Sequence, residues 1–310
     1  MNARRGASPR GTTFNVPTRD AAVRTPSSVT SGPGASGPAS TRSSRSGRSP
    51  LKAVALPAEH GGWGLTAEPA LLGLLVAPTV AGGALAAAAV VAFTARTPLK
   101  LALVDRWRGR RLDRTALAER VAAIELAVLI ALVVVAVVTA SGAFWVPLLV
   151  ALPLVAVELW FDVRSRGRRL VPELAGSVGI ASVAAAIVLA AGDGGAHGSG
   201  ARLAVGLWLV VAARAVATLP FVRLQLARAK GRAHRVALSD AAQAAGLALG
   251  AVAVVLDRRL VAGVAALAVV AAVDVFGARR PPPPAVVLGL RQMGLGLAVV
   301  AATAAGVMAL

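Results

Sequence analysis

The stretch "IELAVLIALVVVAVVTA", residues 124–140, decides the fold. Glu125 is its one charged residue, and nearly every other position is Ala, Val, Leu or Ile. An apolar run of about 20 residues matches the hydrocarbon core of a bilayer, which is about 30 Å thick. Since a chain inside lipid must pair its own backbone polar groups, such a run predicts a membrane-spanning α-helix.

The whole chain has the composition of a multi-pass membrane protein. It is 56% hydrophobic, only 15% charged, and has a mean hydropathy of +0.71, whereas a soluble domain carries about 25% charged residues. We therefore expect an all-α, polytopic transmembrane bundle whose first partner is the lipid bilayer of the cytoplasmic membrane. The chain has no cysteine, which excludes disulfides, Cys-ligated metals and thiol nucleophiles.

Apolar runs predict about nine spans within residues 53–310. We place them near 63–80, 81–104, 120–140, 143–161, 171–192, 203–222, 236–256, 259–276 and 288–309. The first two adjoin, and the proline and glycines at Pro78, Gly82 and Gly83 are the predicted break between them. They form either two separate spans or a broken hairpin.

Residues 1–52 differ sharply from this domain. They are rich in Ser, Gly, Pro, Thr and Arg and have few large apolar residues, so we expect a disordered, basic cytoplasmic tail. No apolar segment follows the first arginines at the distance of a signal peptide.

The net charge of +19 follows the predicted topology. Four loops, at 105–114, 161–169, 222–235 and 277–284, are strongly basic, whereas the alternate loops carry less positive charge. The positive-inside rule then predicts a cytoplasmic N-terminus and an external C-terminus. No basic groove with interleaved aromatic residues is present, so we expect no nucleic-acid partner.

Ionisable residues predicted to lie at membrane depth are the candidates for function, because a charge there is costly. They are Glu68, Arg96, Lys100, Glu125, Glu158, Glu173, Arg214, Asp240, Asp274 and Arg291. Most fall in the cytoplasmic half of their predicted spans, where they are positioned to converge on one polar cavity. From these and the loops we select a ligand-binding set: His60, Glu68, Arg96, Arg214, Arg223 and Asp240.

Structural roles compete with this interpretation. Glu125 and Glu173 are expected near the first turn of a helix, where the dipole favours a carboxylate, and Lys100 has the length to snorkel to the headgroups. Glu158 adjoins Trp160, which is typical of an aromatic belt. Arg214 lies in the apolar sequence "LWLVVAARAVATLPF" and needs a carboxylate or an anionic ligand.

The segment "LPAEHGGWGLTAEPALLG", residues 56–73, precedes the first long apolar run. Its glycines and proline predict either a flexible anchor before the span or an unwound entry that brings His60 and Glu68 into a cavity. The three histidines lack ligand spacing, and no nucleotide fingerprint is present. We predict no metal and no cofactor, and the sequence does not identify a catalytic residue.

The chain resembles the YwiC-like family of bacterial membrane proteins. The resemblance depends first on "PAEHGGWGLTAEPALLG" at 57–73 and covers about 50–310. Similar segments are "RTPLKLAL" at 96–103, "VPELAG" at 171–176, "LPFVRLQLARAKG" at 219–231 and "LGLRQMGLG" at 288–296. The resemblance implies an integral membrane protein. The family has no assigned activity.

The nine spans also resemble the architecture of UbiA-type prenyltransferases. That superfamily has an Asp-rich magnesium motif after the second span, where this chain has Asp105 and Asp113 among arginines. A Mg²⁺–diphosphate site needs several hard oxygen ligands, and the loop after the sixth span has no carboxylate before Asp240.

Three hypotheses follow. The first is a protein with a cytoplasm-facing polar cavity that binds an anionic lipid or an isoprenoid-like amphiphile. The second is a degenerate prenyltransferase that uses Asp105 or Asp240. The third is a small-molecule transporter, which would require paired broken spans that the sequence does not show.

Overall fold

The computed structural model describes residues 60–109, 112–164, 169–192 and 200–309. Within these ranges the chain is helical, with short turns and one 3₁₀ turn at Arg258–Leu260. The helices are α1 His60–Val76, α2 Val80–Trp107, α3 Asp113–Thr139, α4 Trp145–Val163, α5 Leu170–Ala190, α6 Ala201–Ala229, α7 Val236–Leu256, α8 Val261–Gly277 and α9 Ala285–Ala309. The predicted tail, residues 1–52, lies outside the described residues.

The predicted all-α bundle is confirmed. Eight of the described helices, α2 to α9, are long and apolar enough to cross a membrane, when α8 is counted together with the 3₁₀ turn that precedes it. The apolar part of α1, Trp63–Val76, is shorter; the whole 17-residue helix is about 25 Å long at 1.5 Å per residue. The two longest helices extend past the predicted spans, because α2 continues to Trp107 and α6 to Ala229.

The break between α1 and α2 lies at Pro78, as predicted, but the neighbouring glycines are not part of it. Helix α2 begins at Val80 with Thr79 as its N-cap, and the Thr79 hydroxyl accepts a 3.0 Å hydrogen bond from the Gly82 N–H. That cap stabilises the first turn of a helix. Gly82 and Gly83 are consequently helical, so their prediction as breakers was wrong.

The break turns α1 and α2 into a hairpin. Gly73, near the end of α1, and Gly82, near the start of α2, both contact the side chain of Ile187 on α5. A Cβ at either glycine would lie within 3.0 Å of that side chain. The absence of side chains at both positions lets the two helix ends approach α5 at the same place.

The ends of the other helices also lie alternately at the two ends of the bundle. At one end, which we call the opposite end, the Ser141 N–H after α3 donates to Ala190 O at the end of α5 over 2.9 Å. At the other end, which we call the basic end, Arg228 near the end of α6 donates to Ala278 O after α8. The basic end carries the Arg-rich loops, which agrees with the predicted alternation of the spans.

Helices α5 and α6 form the centre of the bundle. In an apolar 18-residue stretch of each of these helices, 67% of the residues are buried, compared with 11% in α3 and 17% in α4. Small residues permit this packing, since Ala181, Ala184 and Ala185 on α5 lie in the same buried cluster as Ala204 and Ala212 on α6. The bulky faces of α3 and α4 point outward, as lipid-facing helices require.

Exposed tryptophans mark both ends of the apolar region. Trp107 and Trp160 lie toward the basic end and Trp145 toward the opposite end, each more than half exposed. The Arg164 guanidinium lies 4.0 Å from the centre of the Trp160 ring, a cation–π contact. This arrangement is typical of aromatic belts at the two membrane interfaces.

Single cysteines will test the predicted orientation, because the natural chain has none. In intact cells, Arg232→Cys at the basic end should resist a membrane-impermeant maleimide, and Ala143→Cys at the opposite end should react. Permeabilisation should make Arg232→Cys reactive. The reverse pattern would place the basic end outside.

Packing between α8 and α9 should depend on Gly263. A Cβ there would overlap the Thr303 side chain, whereas a Cβ at Gly83 on α2 meets nothing within 4 Å. Gly263→Ala should therefore destabilise the protein by about 1–3 kcal/mol. The matched Gly83→Ala should be neutral or stabilise by up to about 1 kcal/mol. Equal melting temperatures of the two variants in detergent would contradict this packing.

Candidate functional site

A cavity of about 540 Å³ lies between α2, α3, α4 and α5. Its walls are almost entirely apolar. They include Leu85, Ala92, Phe93, Leu129, Val133, Leu148, Leu152, Val155, Ile180 and Val183. The volume lies within the range of about 300–1,000 Å³ that is typical of small-molecule sites.

Four charged side chains form a cluster at the basic end of this cavity. Arg96 contacts Glu158 at 2.5 Å through Nη1 and Asp162 at 2.7 Å through Nε. Lys100 donates to the second oxygen of Asp162 at 2.9 Å. Arg96, Glu158 and Asp162 line the cavity itself. We call these four residues the charged cluster; its formal charges cancel.

Helical spacing explains how the charged cluster forms. Arg96 and Lys100 lie four residues apart on α2, and Glu158 and Asp162 lie four apart on α4, so each pair shares one helix face. Gly176 on α5 makes room, because a Cβ there would overlap the Glu158 carboxylate. The cluster therefore occupies a gap where α2, α4 and α5 approach one another.

Glu125 lies on the cavity side of α3. The helix begins at Asp113, about three turns earlier, so the expectation that Glu125 occupies a first turn was wrong. Helix α3 begins seven residues before the predicted span at 120–140. Glu125 shares a face with Leu129 and Val133, which line the cavity, and its Oε2 is buried without a hydrogen-bond partner among the described residues.

Helices α3 and α4 form the outer side of the cavity. Helix α3 packs on α2 and helix α4 on α5, whereas α3 and α4, both described in full, have few contacts with each other. The turn that joins them is fixed to α5 by the Ser141–Ala190 hydrogen bond. A Cβ at Gly142 in this turn would overlap Leu189 O. The cavity thus lies where α3 and α4 have few contacts with each other.

A second polar group lies deep between α1, α6, α8 and α9. Glu68 and Arg214 are 3% and 2% exposed, and Glu68 Oε1 lies 3.9 Å from Arg214 Nη2. Gly296 on α9 leaves the space for the Glu68 carboxylate, which a Cβ there would overlap. Arg214 thus has the carboxylate partner that the sequence required, at ion-pair distance.

Asp274 and Gln292 complete this group, which we call the buried cluster. The Gln292 amide donates to Asp274 Oδ1 at 2.8 Å, and Gln292 O accepts from Arg214 Nη2 at 2.6 Å. Asp274 is fully buried. Four atoms of the cluster have no hydrogen-bond partner among the described residues: Arg214 Nε and Nη1, Asp274 Oδ2 and Gln292 Oε1.

Residues 56–188 match the YwiC-like protein family. This match confirms the resemblance seen in the sequence over α1 to most of α5. Every residue that lines the cavity lies within the matched range, whereas Arg214, Asp274 and Gln292 lie beyond it. The match and the eight apolar helices among the described residues indicate an integral membrane protein. No curated protein and no solved structure shows significant similarity to it.

Of the six predicted site residues, the five whose side chains the structure describes do not meet at one place. Arg96 lies in the charged cluster, and Glu68 and Arg214 lie in the buried cluster. Arg223 pairs with Glu173 at 2.8 Å and lines a separate cavity of about 210 Å³ at the basic end.

The two remaining predicted residues have other surroundings. Asp240 pairs with Arg279 at 2.9 Å near the surface. His60 begins α1, and its side chain lies outside the described part of the structure.

Sequence reasoning missed two members of these clusters. Asp162 lies one turn after Glu158, so its spacing was an available signal. Gln292 is uncharged, and only its position opposite Asp274 distinguishes it from other glutamines.

The magnesium motif of prenyltransferases has no counterpart in the described residues. Asp105 is buried and accepts hydrogen bonds from Thr115 at 2.8 Å and from Arg114 at 3.3 Å. Among the residues that the structure describes, no three His, Cys, Asp or Glu side chains are grouped to hold a metal ion. Asp105 on α2 thus binds two side chains of α3 and holds the two helices together.

The charged cluster should contribute more to the free energy of unfolding than a surface ion pair does. Asp162→Asn leaves Arg96 and Lys100 with a neutral amide, and because Asp162 is 2% exposed at its side chain, we expect a loss of about 1–3 kcal/mol. The control Glu119→Gln removes the exposed pair with Arg106 and should cost at most about 1 kcal/mol. Thermal unfolding in detergent measures both, and equal shifts would refute the distinction.

Proposed function

We propose that this protein binds an isoprenoid-like amphiphile in the cavity between α2 and α5. The chain of the ligand would lie along the apolar walls, and its polar head would contact Arg96 and Glu158. The observation that supports this most directly is the shape of the site, an apolar cavity with one charged end. Such an arrangement suits a molecule that is itself apolar with one polar end.

The charges favour an uncharged, hydrogen-bonding head over an anionic one. Arg96 already contacts two carboxylates, Lys100 contacts one of them, and the formal charges of the charged cluster cancel. Glu125, on the same face of α3 as Leu129 and Val133, adds a further carboxylate. An anionic head would bring excess negative charge into a poorly hydrated site, which is unfavourable. A hydroxyl head can donate to a carboxylate and accept from Arg96.

The ligand would enter from the bilayer between α3 and α4. These helices scarcely contact each other, and their exposed residues are bulky and apolar. Because the turn between them is hydrogen-bonded to α5, we expect small movements of the two helices to widen the opening. If the basic end is cytoplasmic, the head of the ligand lies in the cytoplasmic half of the membrane.

Filling the cavity should remove the ligand. Ala92 lines the cavity and is exposed toward it, so Ala92→Trp should occupy the space without disturbing buried packing. Native mass spectrometry with lipid analysis of the purified protein should then show at least about a tenfold loss of the bound amphiphile, equivalent to about 1.4 kcal/mol. The control Ala87→Trp, on an exposed part of α2 outside the cavity lining, should retain it.

Two added ligands distinguish an uncharged head group from an anionic one. Farnesol should displace the bound species from wild type, and farnesyl diphosphate without Mg²⁺ should not. Preferential displacement by the diphosphate would indicate an anionic ligand instead. Equal amounts of bound species in wild type and Ala92→Trp would show that the cavity is not the binding site.

A further inference from the structure

The buried cluster has an imbalance of charge that its described contacts do not remove. It contains two carboxylates, Glu68 and Asp274, and one guanidinium, Arg214, none more than 3% exposed. With both acids ionised, the interior of the bundle would carry an excess negative charge. A charge at this depth is stable only with a partner, and a buried acid without one takes up a proton instead.

The contacts show which carboxylate lacks a cationic partner. Glu68 Oε1 lies 3.9 Å from Arg214 Nη2, and Nη2 itself donates to Gln292 O. Asp274 receives a hydrogen bond from the neutral amide of Gln292, and its Oδ2 has no partner among the described residues. Arg214 is therefore the counter-ion of Glu68.

The remaining charged groups near Asp274 are more distant. Arg214 from α6 and Arg291 from α9 act on it through space. Arg291 is exposed, and its guanidinium lies 3.4 Å from Val273 O. Helix α7 contributes two buried polar side chains, Ser239 and Gln243, which are uncharged, and the carboxylate of Asp240, which pairs with Arg279 at 2.9 Å.

We propose that Asp274 is a proton-binding site inside the membrane domain. A proton taken from water binds to Oδ2, and Oδ1 continues to accept the hydrogen bond from Gln292. The cluster then contains Glu68 as an anion, Arg214 as a cation and Asp274 as a neutral acid, so its formal charges cancel. Loss of that proton leaves a carboxylate between α8 and α9 with no contacting cation.

A proton fits this site better than a metal ion. Cations such as Mg²⁺ and Ca²⁺ need about six or more oxygen ligands, and the described residues hold no group of three acidic or histidine side chains. The Gln292 amide nitrogen also points at Asp274 Oδ1, and a donor in that place repels a cation. The inference is independent of the proposed amphiphile, because the two clusters share no residue.

Infrared difference spectroscopy on the full chain in liposomes tests this directly. As the pH is raised in steps, wild type should lose the C=O stretching band of a buried carboxylic acid. Labelling the side-chain carboxyls of aspartate with carbon-13 should shift the band, and labelling those of glutamate should not. Asp274→Asn should abolish it. The control Asp257→Asn, which removes the partner of Arg259, should leave it unchanged.

Two results would overturn the proposal. If wild type shows no such band at any pH, both acids of the cluster are ionised. If the band shifts only with labelled glutamate, the proton belongs to a glutamate such as Glu68. Since asparagine is nearly isosteric with a protonated aspartate, Asp274→Asn should also melt within a few degrees of wild type, so loss of the band would not reflect unfolding.

Discussion

The free-energy cost of a charge in hydrocarbon is the constraint on which this structure depends. Within residues 53–310 it keeps most arginines in the loops of one end of the bundle, which gives the alternation of basic and less basic turns. It also explains why the few charged side chains within the helices occur in groups. Arg96 lies with Asp162 and Glu158, and Arg214 lies with Glu68, because a single charge at that depth would be unstable.

Under the same constraint, the two clusters differ in their balance of positive and negative charge. The charged cluster contains two cations and two carboxylates at short distances, so its ions neutralise one another. The buried cluster has fewer cations than carboxylates, and its closest ion-pair distance is 3.9 Å. The first is suited to present a fixed polar surface to a ligand, and the second is suited to gain or lose a proton.

The sequence predicted the helices well because hydrophobicity and length alone determine where a membrane span lies. The break at Pro78 was predicted for the same local reason, whereas Gly82 and Gly83 are helical because the Thr79 cap starts α2 before them.

The site was harder to predict, since it depends on which helices are neighbours. Arg96, Glu68 and Arg214 were recognised singly, but no local pattern shows that α2 lies against α4 or that α9 lies against α1. The cavity follows from this arrangement of neighbours. Consecutive helices joined by a five-residue turn usually pack together, yet here α3 packs on α2 and α4 on α5. The apolar space between them lies within the membrane, where contact with hydrocarbon is its stable state. An amphiphile in this space would therefore complete the packing of four helices as well as bind to them.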